Sequence, residues 1–450
     1  MTIHSLRGFR DILPPDSGVF YAIESAAREV FKLYGYREIR IPTLEARELF
    51  VKSTGDTTDI VQKEMYAFTD QGGREIAARP EGTPGVVRAY IENNLSQNGG
   101  NGKYFYMGGM FRAERPQAGR YREFEQIGAE CIGAHGAFAD AESISMLMEM
   151  LKKAGLSGCM AEINSLGCAT CRAAYRAGLL GFLKTNPAAL CEVCRTRMEK
   201  NPLRALDCKL DGPRLALEAP AIKLCPSCQL HFSRVQELLS ALNAPFKVNK
   251  SLVRGLDYYT RTIFEVKTGA SGGSQDALAG GGRYDELVKS MGGPDAPAVG
   301  WAMGVDRVAL LLKGLIPESD AAQVFVVCAG SGSPAVVPIE KSGEEPYWEG
   351  RLGKIQQDGG NTPEASSRAF ALLGELRAAG IRTDFSDFNL SLKSQLRSAD
   401  KSGAYLALIL GDEEIKNSVY ALKFLKEKKD QRNVPAAEII PAIKAALPVK

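Results

Sequence analysis

No apolar run in this sequence approaches the ~20 residues that a membrane-spanning helix needs. The first sixteen residues, "MTIHSLRGFRDILPPD", hold no apolar core of the kind a secretory signal carries. These two absences make the cytosol the expected location. An excess of one charge is also missing, since 56 Lys and Arg stand against 53 Asp and Glu, for a net +3. Bulk charge therefore does not announce a nucleic acid, although a local basic face stays open. There is no internal repeat and no Walker phosphate loop. The glycine run "AGGGRYDE" (279–286) lacks a Lys-Ser/Thr after its last glycine and opens no βαβ unit.

What is present is a chain of 450 residues, 45% hydrophobic and 24% charged. That length suits about two to four domains with sizeable cores. Of ten cysteines, seven fall between positions 168 and 228. Six form C-x-x-C pairs, namely Cys168/Cys171, Cys191/Cys194 and Cys225/Cys228, and the seventh is Cys208. In a reducing compartment such spacing favours metal over disulfides. Cys131, Cys159 and Cys328 stand alone and read as small buried apolar residues.

Residues 19–34 carry Ile23, Ala27, Val30, Phe31 and Tyr34 on one helical face, with Gly35 placed to end the helix. "YREIRIPTLE" alternates as a strand up to Pro42, which fits only a strand end or edge. "REIAARPEGTPGVVRAYIENNL" reads as strand, tight loop and helix, with Thr83 as N-cap and Pro84 at N1. "YFYMGGMFR" and "REFEQIGAECIG" read as an antiparallel hairpin around "AERPQAG". The segment 166–245 is mostly helical by pattern. Strands resume with "FKVNKSLVRGLDYYTRTIFEVKT", and a glycine loop "AGGGRYDELV" leads into a helix. After about residue 322, strands alternate with helices, which predicts a separate α/β domain with a largely parallel sheet. Residues 332–363, rich in Gly, Pro, Ser and Glu, read as a long surface insertion.

The hairpin invites a chemical reading. Alternation puts Phe124, Gln126, Gly128 and Glu130 on one face, and Tyr104, Tyr106, Gly108, Met110 and Arg112 on one face of the incoming strand; if the faces match, Arg112 sits with Gln126 and Glu130. A cation, an amide and a carboxylate around a glycine suit a small zwitterion beside a phosphate. Arg115, Arg120 and Arg122 in the loop could neutralise a polyphosphate tail. The competing reading is a solvated hairpin whose charges pair with one another. Further on, Glu81 sits in the cap loop "RPEGT", and Arg254 precedes Tyr258 and Tyr259. Adjacent residues in a strand face opposite ways, so only one of those two tyrosines is expected to face a given pocket while the other packs.

Taken together, these stretches resemble a known family. "FRAERPQAGRYREFEQ" is similar to motif 2 of class II aminoacyl-tRNA synthetases, "GWAMGVDRVALLL" to motif 3 and "YREIRIPTLE" to motif 1. Within that class, "LVRGLDYYTRTIFE" and "AGGGRYDELV" resemble the two motifs specific to the histidyl-tRNA synthetases, and "RGFRDILPP" and "ARPEGT" match the same family in its bacterial form. One departure is Asp306, where the family often has a glutamate.

The resemblance implies a class II catalytic domain with an antiparallel sheet at 1–165 and 246–321. It also implies a helical insertion domain at 166–245 and a C-terminal α/β anticodon-binding domain at 322–450. The expected reaction joins histidine to the α-phosphate of ATP and passes it to tRNA, with Mg²⁺ accompanying ATP. By resemblance, Arg112 and Arg254 flank the α-phosphate as the catalytic pair, Arg307 stacks on adenine, Arg120 reaches the ATP tail and Glu114 lies near the base. Glu81, Thr83 and Gln126 are expected to take the histidine ammonium, Glu130 and Tyr259 the imidazole, with Tyr258 and Tyr284 as walls. Motif 1 implies a homodimer.

In the insertion, a helix leaving the core after Gly167 and another returning near Asn243 predict Cys191, Cys194, Cys225 and Cys228 together at the far end. Those four would bind a structural Zn²⁺. Cys168, Cys171 and Cys208 would form an incomplete site near the base. Two alternatives to the ligase are a regulatory paralogue without ligase activity and an adenylating enzyme that does not use tRNA. Neither needs the domain after residue 322.

Overall fold

The computed structural model describes residues 3–448 apart from 57, 100, 207, 209, 269–276, 316–321, 330–362 and 428. The surface insertion expected at 332–363 thus lies, but for its last residue, outside the described residues. The chain divides into two units, Met1–Pro317 and Glu318–Lys450.

The first unit begins with α1 (Asp16–Leu33), β1 (Arg37–Glu38), β2 (Leu44–Ala46), α2 (Arg47–Thr54), β3 (Ala67–Thr69), β4 (Glu75–Ala78) and α3 (Thr83–Glu92). Then come β5 (Gly102–Phe111), β6 (Glu123–Ile132), α4 (Ala137–Lys153) and β7 (Cys159–Ser165). The cysteine-rich stretch follows as α5 (Ala169–Thr185), α6 (Glu192–Arg197), α7 (Gly212–Glu218) and α8 (Pro226–Ala241). It returns to β8 (Phe246–Val248), β9 (Thr260–Thr268), β10 (Ala277–Arg283), α9 (Leu287–Ser290), β11 (Ala298–Gly304) and α10 (Val305–Leu312). Eight strands form one sheet in the order β1-β5-β6-β11-β10-β9-β7-β8, and β2-β4-β3 make a small second sheet. The large sheet is antiparallel except at its two ends, where β1 pairs with β5 and β8 with β7 in parallel.

Alternation along the hairpin divides this sheet into a packed face and a working face. Phe105, Ile127, Ala129 and Cys131 join the core formed with α1, α4 and α8, whose Phe31, Leu147 and Val235 are all fully buried. Phe31 stacks on Phe105 with centroids 4.3 Å apart, which adds about 0.5–1.5 kcal/mol beyond burial alone. Tyr104, Tyr106 and Met110 point the other way. The register sets Tyr104 opposite Glu130, Tyr106 opposite Gly128, Gly108 opposite Gln126 and Met110 opposite Phe124. The two faces match as alternation predicts, but Arg112 follows the end of β5 that is opposite Glu123, and so does not sit with Glu130, which pairs with Tyr104 near the other end.

Three sequence readings fail locally. "YREIRIPTLE" is two strands in two sheets, β1 and β2. Pro42 lies between them and has no N–H to donate, so the chain leaves the first sheet there. The run "AGGGR" is strand β10, not a loop. Its glycines serve close approach instead of tight turning, since a Cβ on Gly280 would land on the Arg254 guanidinium. Thr83 does not cap α3, because its hydroxyl donates to Glu130 instead.

The second unit holds β12 (Val324–Ala329), α11 (Pro363–Ala378), β13 (Thr383–Phe385), α12 (Leu392–Lys401), β14 (Leu406–Gly411), α13 (Asp412–Lys416), β15 (Val419–Phe424), β16 (Arg432–Pro435) and α14 (Ile439–Ala446). The strand order is β13-β12-β14-β15-β16. The first three are parallel and the last two antiparallel. The sheet is therefore mixed and not largely parallel, because β15 and β16 follow β14 closely in sequence and leave no length for a third crossover.

Candidate active site

On the working face, a cleft is lined by residues from seven separated parts of the first unit. They come from the loop before α3, the hairpin, the loop before β9, β9 itself, β10, β11 and the start of α10. Of the residues singled out in the sequence, Glu81, Thr83, Arg112, Glu114, Arg120, Gln126, Arg254, Tyr258, Tyr259, Tyr284 and Arg307 all line it. Glu130 stands one layer beneath, fully buried. Gly300 on β11 lies opposite Glu130, and a Cβ there would collide with the carboxylate.

One end of the cleft is a cage of acids and hydroxyls. Tyr258 donates to Glu81 Oε2 at 3.0 Å, and Thr54 donates to Oε1 at 3.0 Å. Thr83 donates to Glu130 Oε1 at 2.6 Å, and the Tyr284 hydroxyl donates to Oε2. Tyr106 donates to Gln126 Oε1 at 3.4 Å. Tyr258 and Tyr259 face the same cleft with ring centroids 4.8 Å apart, and Tyr284 stands edge-on to Tyr258 at 5.7 Å. The expectation that only one of the two adjacent tyrosines could face the pocket is therefore wrong. Both precede β9 in a turn, where strand alternation does not apply.

Burial dominates the electrostatics at this end. It raises the Glu130 carboxyl to about 8, against the pull of hydrogen bonds from Thr83 and Tyr284. Glu81 is raised for the same reason, with Arg112 as the main opposing influence. The Tyr259 phenol is pushed up to about 12 by burial, so it stays a hydroxyl at neutral pH.

The other end carries four guanidiniums, of Arg112, Arg120, Arg254 and Arg307. Arg112 follows β5, with its Nε donating to the carbonyl of Pro80 at 2.9 Å and its Cζ 5.5 Å from the Phe124 ring centre. Arg120 pairs with Glu114 at 3.1 Å. Arg254 crosses the sheet over Gly280 and pairs with Glu265 of β9 at 2.8 Å. Arg307 opens α10 and donates to the carbonyl of Ala277. These partners hold each cation at the cleft while leaving donors over for an anion.

Two loop arginines do something else. Arg122 donates to the carbonyls of Arg7 and Glu114, and its own N–H bonds Gly8, so it fastens the "RGFRD" segment. Arg115 is exposed and outside the lining. Asp306 is committed as well, accepting from Arg10 at 2.7 Å and from the Glu125 N–H at 2.8 Å. Arg10 also lies 4.0 Å over the Tyr121 ring, so the N-terminal segment buttresses the loop. Sequence reasoning missed Glu265, Thr54 and Arg10. None of the three gave a signal, since β9 already mixes charged, hydroxyl and apolar residues around Glu265.

The predicted zinc set is also corrected. Cys191, Cys194, Cys225 and Cys228 do not converge. Cys225 and Cys228 lie with Cys168 and Cys171, whereas Cys191 and Cys194 lie with Cys208 and Asp211. The cause is α8. It packs on α4 as part of the catalytic core, through Phe232, Val235 and Leu239, so its first turn sits where the insertion leaves the sheet.

A sheet of this order, with a motif 2 hairpin and a motif 3 strand–helix enclosing one arginine-lined cleft, defines a class II aminoacyl-tRNA synthetase. Residues 8–308 match the family "Histidyl-tRNA synthetase", and 323–446 match "Anticodon binding domain". The histidine–tRNA ligase of Elusimicrobium minutum is 48% identical over 95% of each chain. That of Aquifex aeolicus is 43% identical over 98% of this chain and 100% of its own. The apo crystal structure of histidyl-tRNA synthetase from S. aureus superposes with a TM-score of 0.75 at 29% identity, covering 98% of this chain and 100% of the other. The chain belongs to the histidyl-tRNA synthetase family.

Proposed function

We infer that this protein charges tRNA(His) with histidine through a histidyl-adenylate, releasing diphosphate and then AMP. The histidine carboxylate attacks the α-phosphorus of ATP, and a 3′-terminal hydroxyl of the tRNA then attacks the mixed anhydride. The first step brings two anions together, and cations fixed in advance lower its barrier. Arg112 binds the α-phosphate and the carboxylate from the hairpin side, and Arg254 approaches from the β10 side. Arg307 stacks on adenine, Arg120 takes the phosphate tail, and Glu114 holds Arg120 near the base. Mg²⁺ enters as the counter-ion of the triphosphate. The carboxylates at that end, Glu114 and Glu265, are already paired with arginines.

Histidine fits the opposite end by its own groups. The ammonium finds acceptors in Glu81, Thr83 and Gln126. The imidazole meets the hydroxyl of Tyr259 and, beneath the wall, Glu130 acting through Thr83 and Tyr284. Buried polar partners of this kind reject an apolar isostere strongly.

The single observation that carries this reading is the convergence of four arginines and the Glu81–Tyr258 pair on one cleft. The match of residues 323–446 to an anticodon-binding domain disfavours a regulatory paralogue. We assign 1–165 and 246–321 to catalysis, 166–245 to the insertion and 322–450 to anticodon binding. The working form is a cytoplasmic homodimer.

Pyrophosphate exchange into ATP tests the assignment. Exchange should require histidine, and exchange with another amino acid, or none at all, refutes it.

A further inference from the structure

Among the described residues, two groups of four metal-type donors lie outside the cleft, and in each the donor atoms fall within 4.8 Å of one another. One joins Cys168 and Cys171, at the start of α5, to Cys225 and Cys228, at the start of α8. The other joins Cys191 and Cys194, at the start of α6, to Cys208 and the buried Asp211 before α7. A tetrahedron of 2.3 Å metal–sulfur bonds has edges of about 3.8 Å. Sγ of Cys168 lies 3.7 Å from Sγ of Cys171, and Sγ of Cys191 lies 3.8 Å from Sγ of Cys208. Disulfides require ~2.05 Å, and none of these seven cysteines is in one.

The backbone also serves these groups. The Cys168 N–H donates to Cys228 Sγ at 3.2 Å, and the Cys225 N–H donates to Cys171 Sγ at 3.2 Å. Each pair thus supplies a donor to a sulfur of the other, which stabilises thiolates. In the second group the Cys191 N–H donates to Asp211 Oδ2 at 3.0 Å, fixing the carboxylate among the sulfurs.

Both groups are tied to the loop that carries Arg254, Tyr258 and Tyr259. Next to Cys171, Arg172 donates to the carbonyls of Tyr259 at 2.6 Å and Asp257 at 3.0 Å. Just before Cys168, Leu166 and Gly167 pair with the backbone of Arg261 at 2.7 and 2.8 Å. Arg261 has a left-handed φ of 47°, a conformation that costs energy unless its surroundings impose it. Between the ligands of the second group, Asn201 donates to Asp257 Oδ1 at 2.9 Å and Arg204 to the carbonyl of Gly255.

We propose that the insertion holds two structural Zn²⁺ ions, one on Cys168, Cys171, Cys225 and Cys228 and one on Cys191, Cys194, Cys208 and Asp211, and that together they set the loop bearing Arg254. Each ligating thiol releases its proton to solvent, and nothing changes oxidation state. The metal content stands independently, and the effect on the loop rests on the role given to Arg254 above.

Full-length, untagged protein purified without added zinc is analysed by elemental and native mass spectrometry. Two zinc per chain are expected. One, none, or iron in their place overturns the proposal. Cys225→Ser/Cys228→Ser and Cys208→Ser/Asp211→Asn should each retain one. Retention of both, or loss of both from either variant, overturns the separate assignments. If the variants do not fold, wild-type protein reconstituted with Co²⁺ decides: absorption typical of tetrahedral cobalt–thiolate should saturate at two equivalents, and octahedral absorption overturns the sites. Folded Asp211→Asn should lose one zinc and at least tenfold in histidine-dependent exchange. Zinc loss with unchanged exchange overturns the bracing role. Absence of exchange in the wild type, with two zinc present, would refute the ligase reading and leave the sites standing.

Discussion

The hairpin β5–β6 and the loop 249–259 supply the same cleft in different ways. On the hairpin, Gln126 and Glu130 are aimed by the two-residue period of a strand, and the sheet fixes them. On the loop, nothing periodic aims Arg254, Tyr258 or Tyr259. They are held by Arg172, Asn201 and Arg204 from the insertion and by the open surface of Gly280. A strand residue is positioned by its own neighbours in sequence, and a loop residue by whatever the rest of the fold brings to it. The two regions should therefore respond differently to substitution.

The largest effect is expected on the loop. Arg254→Ala removes the cation proposed above to flank the α-phosphate, with its Glu265 partner left behind. Loss of one such donor typically costs about 10²–10³ in kcat. Histidine-dependent pyrophosphate exchange should fall by that much with little change in thermal midpoint. Near-wild-type exchange would mean that the loop does not serve the chemistry.

A smaller but more diagnostic effect is expected on the strand. Glu130→Gln keeps the shape and removes the ionisable group. In the folded protein this carboxyl titrates at about 8 because it is buried, whereas an unfolded glutamate titrates near ~4.3. Between those values the folded form holds a proton that the unfolded chain has lost, so wild-type stability falls as pH rises through the window. The variant lacks that term. Its thermal midpoint should gain on wild type from pH 5 to pH 8 and hold a constant lead above. Hydrogen bonds to a charged group contribute about 1.5–3 kcal/mol, so above pH 8, where the carboxyl is ionised, kcat/KM for histidine should drop roughly 10- to 100-fold. A midpoint difference that does not depend on pH would place the carboxyl in water.

The same contrast sets how much the sequence reveals. The hairpin's two faces are legible because period-two alternation is a local rule, whereas its register is fixed by the connection between the strands. The motifs bring the cleft residues together by resemblance, and all but Glu130 line it. Glu130 sits one layer deeper, because Thr83 turns its hydroxyl inward instead of capping α3. The cysteine partners are not legible. Three C-x-x-C pairs have identical spacing, so only the packing of α8 on α4 decides that Cys225 meets Cys168 and not Cys191. Asp211 gives no signal either, since an aspartate three residues after a cysteine is common in any helical segment. The strand nature of "AGGGR" is hidden for a related reason: Gly280 answers to Arg254, which lies against it in space but on a loop well before it in sequence.

The smallest predicted effect tests whether the loop, once braced, is as fixed as the strand. Tyr258→Phe deletes one hydroxyl, which donates to Glu81 Oε2 at 3.0 Å, and leaves the ring against Tyr259 and Tyr284. Glu81 keeps Thr54 as a donor at 3.0 Å. In a rigid loop the loss is a single buried hydrogen bond to a carboxylate, about 1.5–3 kcal/mol at most. Part of it is recovered when the bound ammonium takes the vacated lone pair. KM for histidine should then rise about three- to tenfold, with kcat nearly unchanged, as expected for a contact made equally in ground and transition states. A fall in kcat comparable to that of Arg254→Ala would mean that the hydroxyl itself organises the loop. In that case the rigidity of this region comes from inside the cleft, and not from the insertion that grips it from behind.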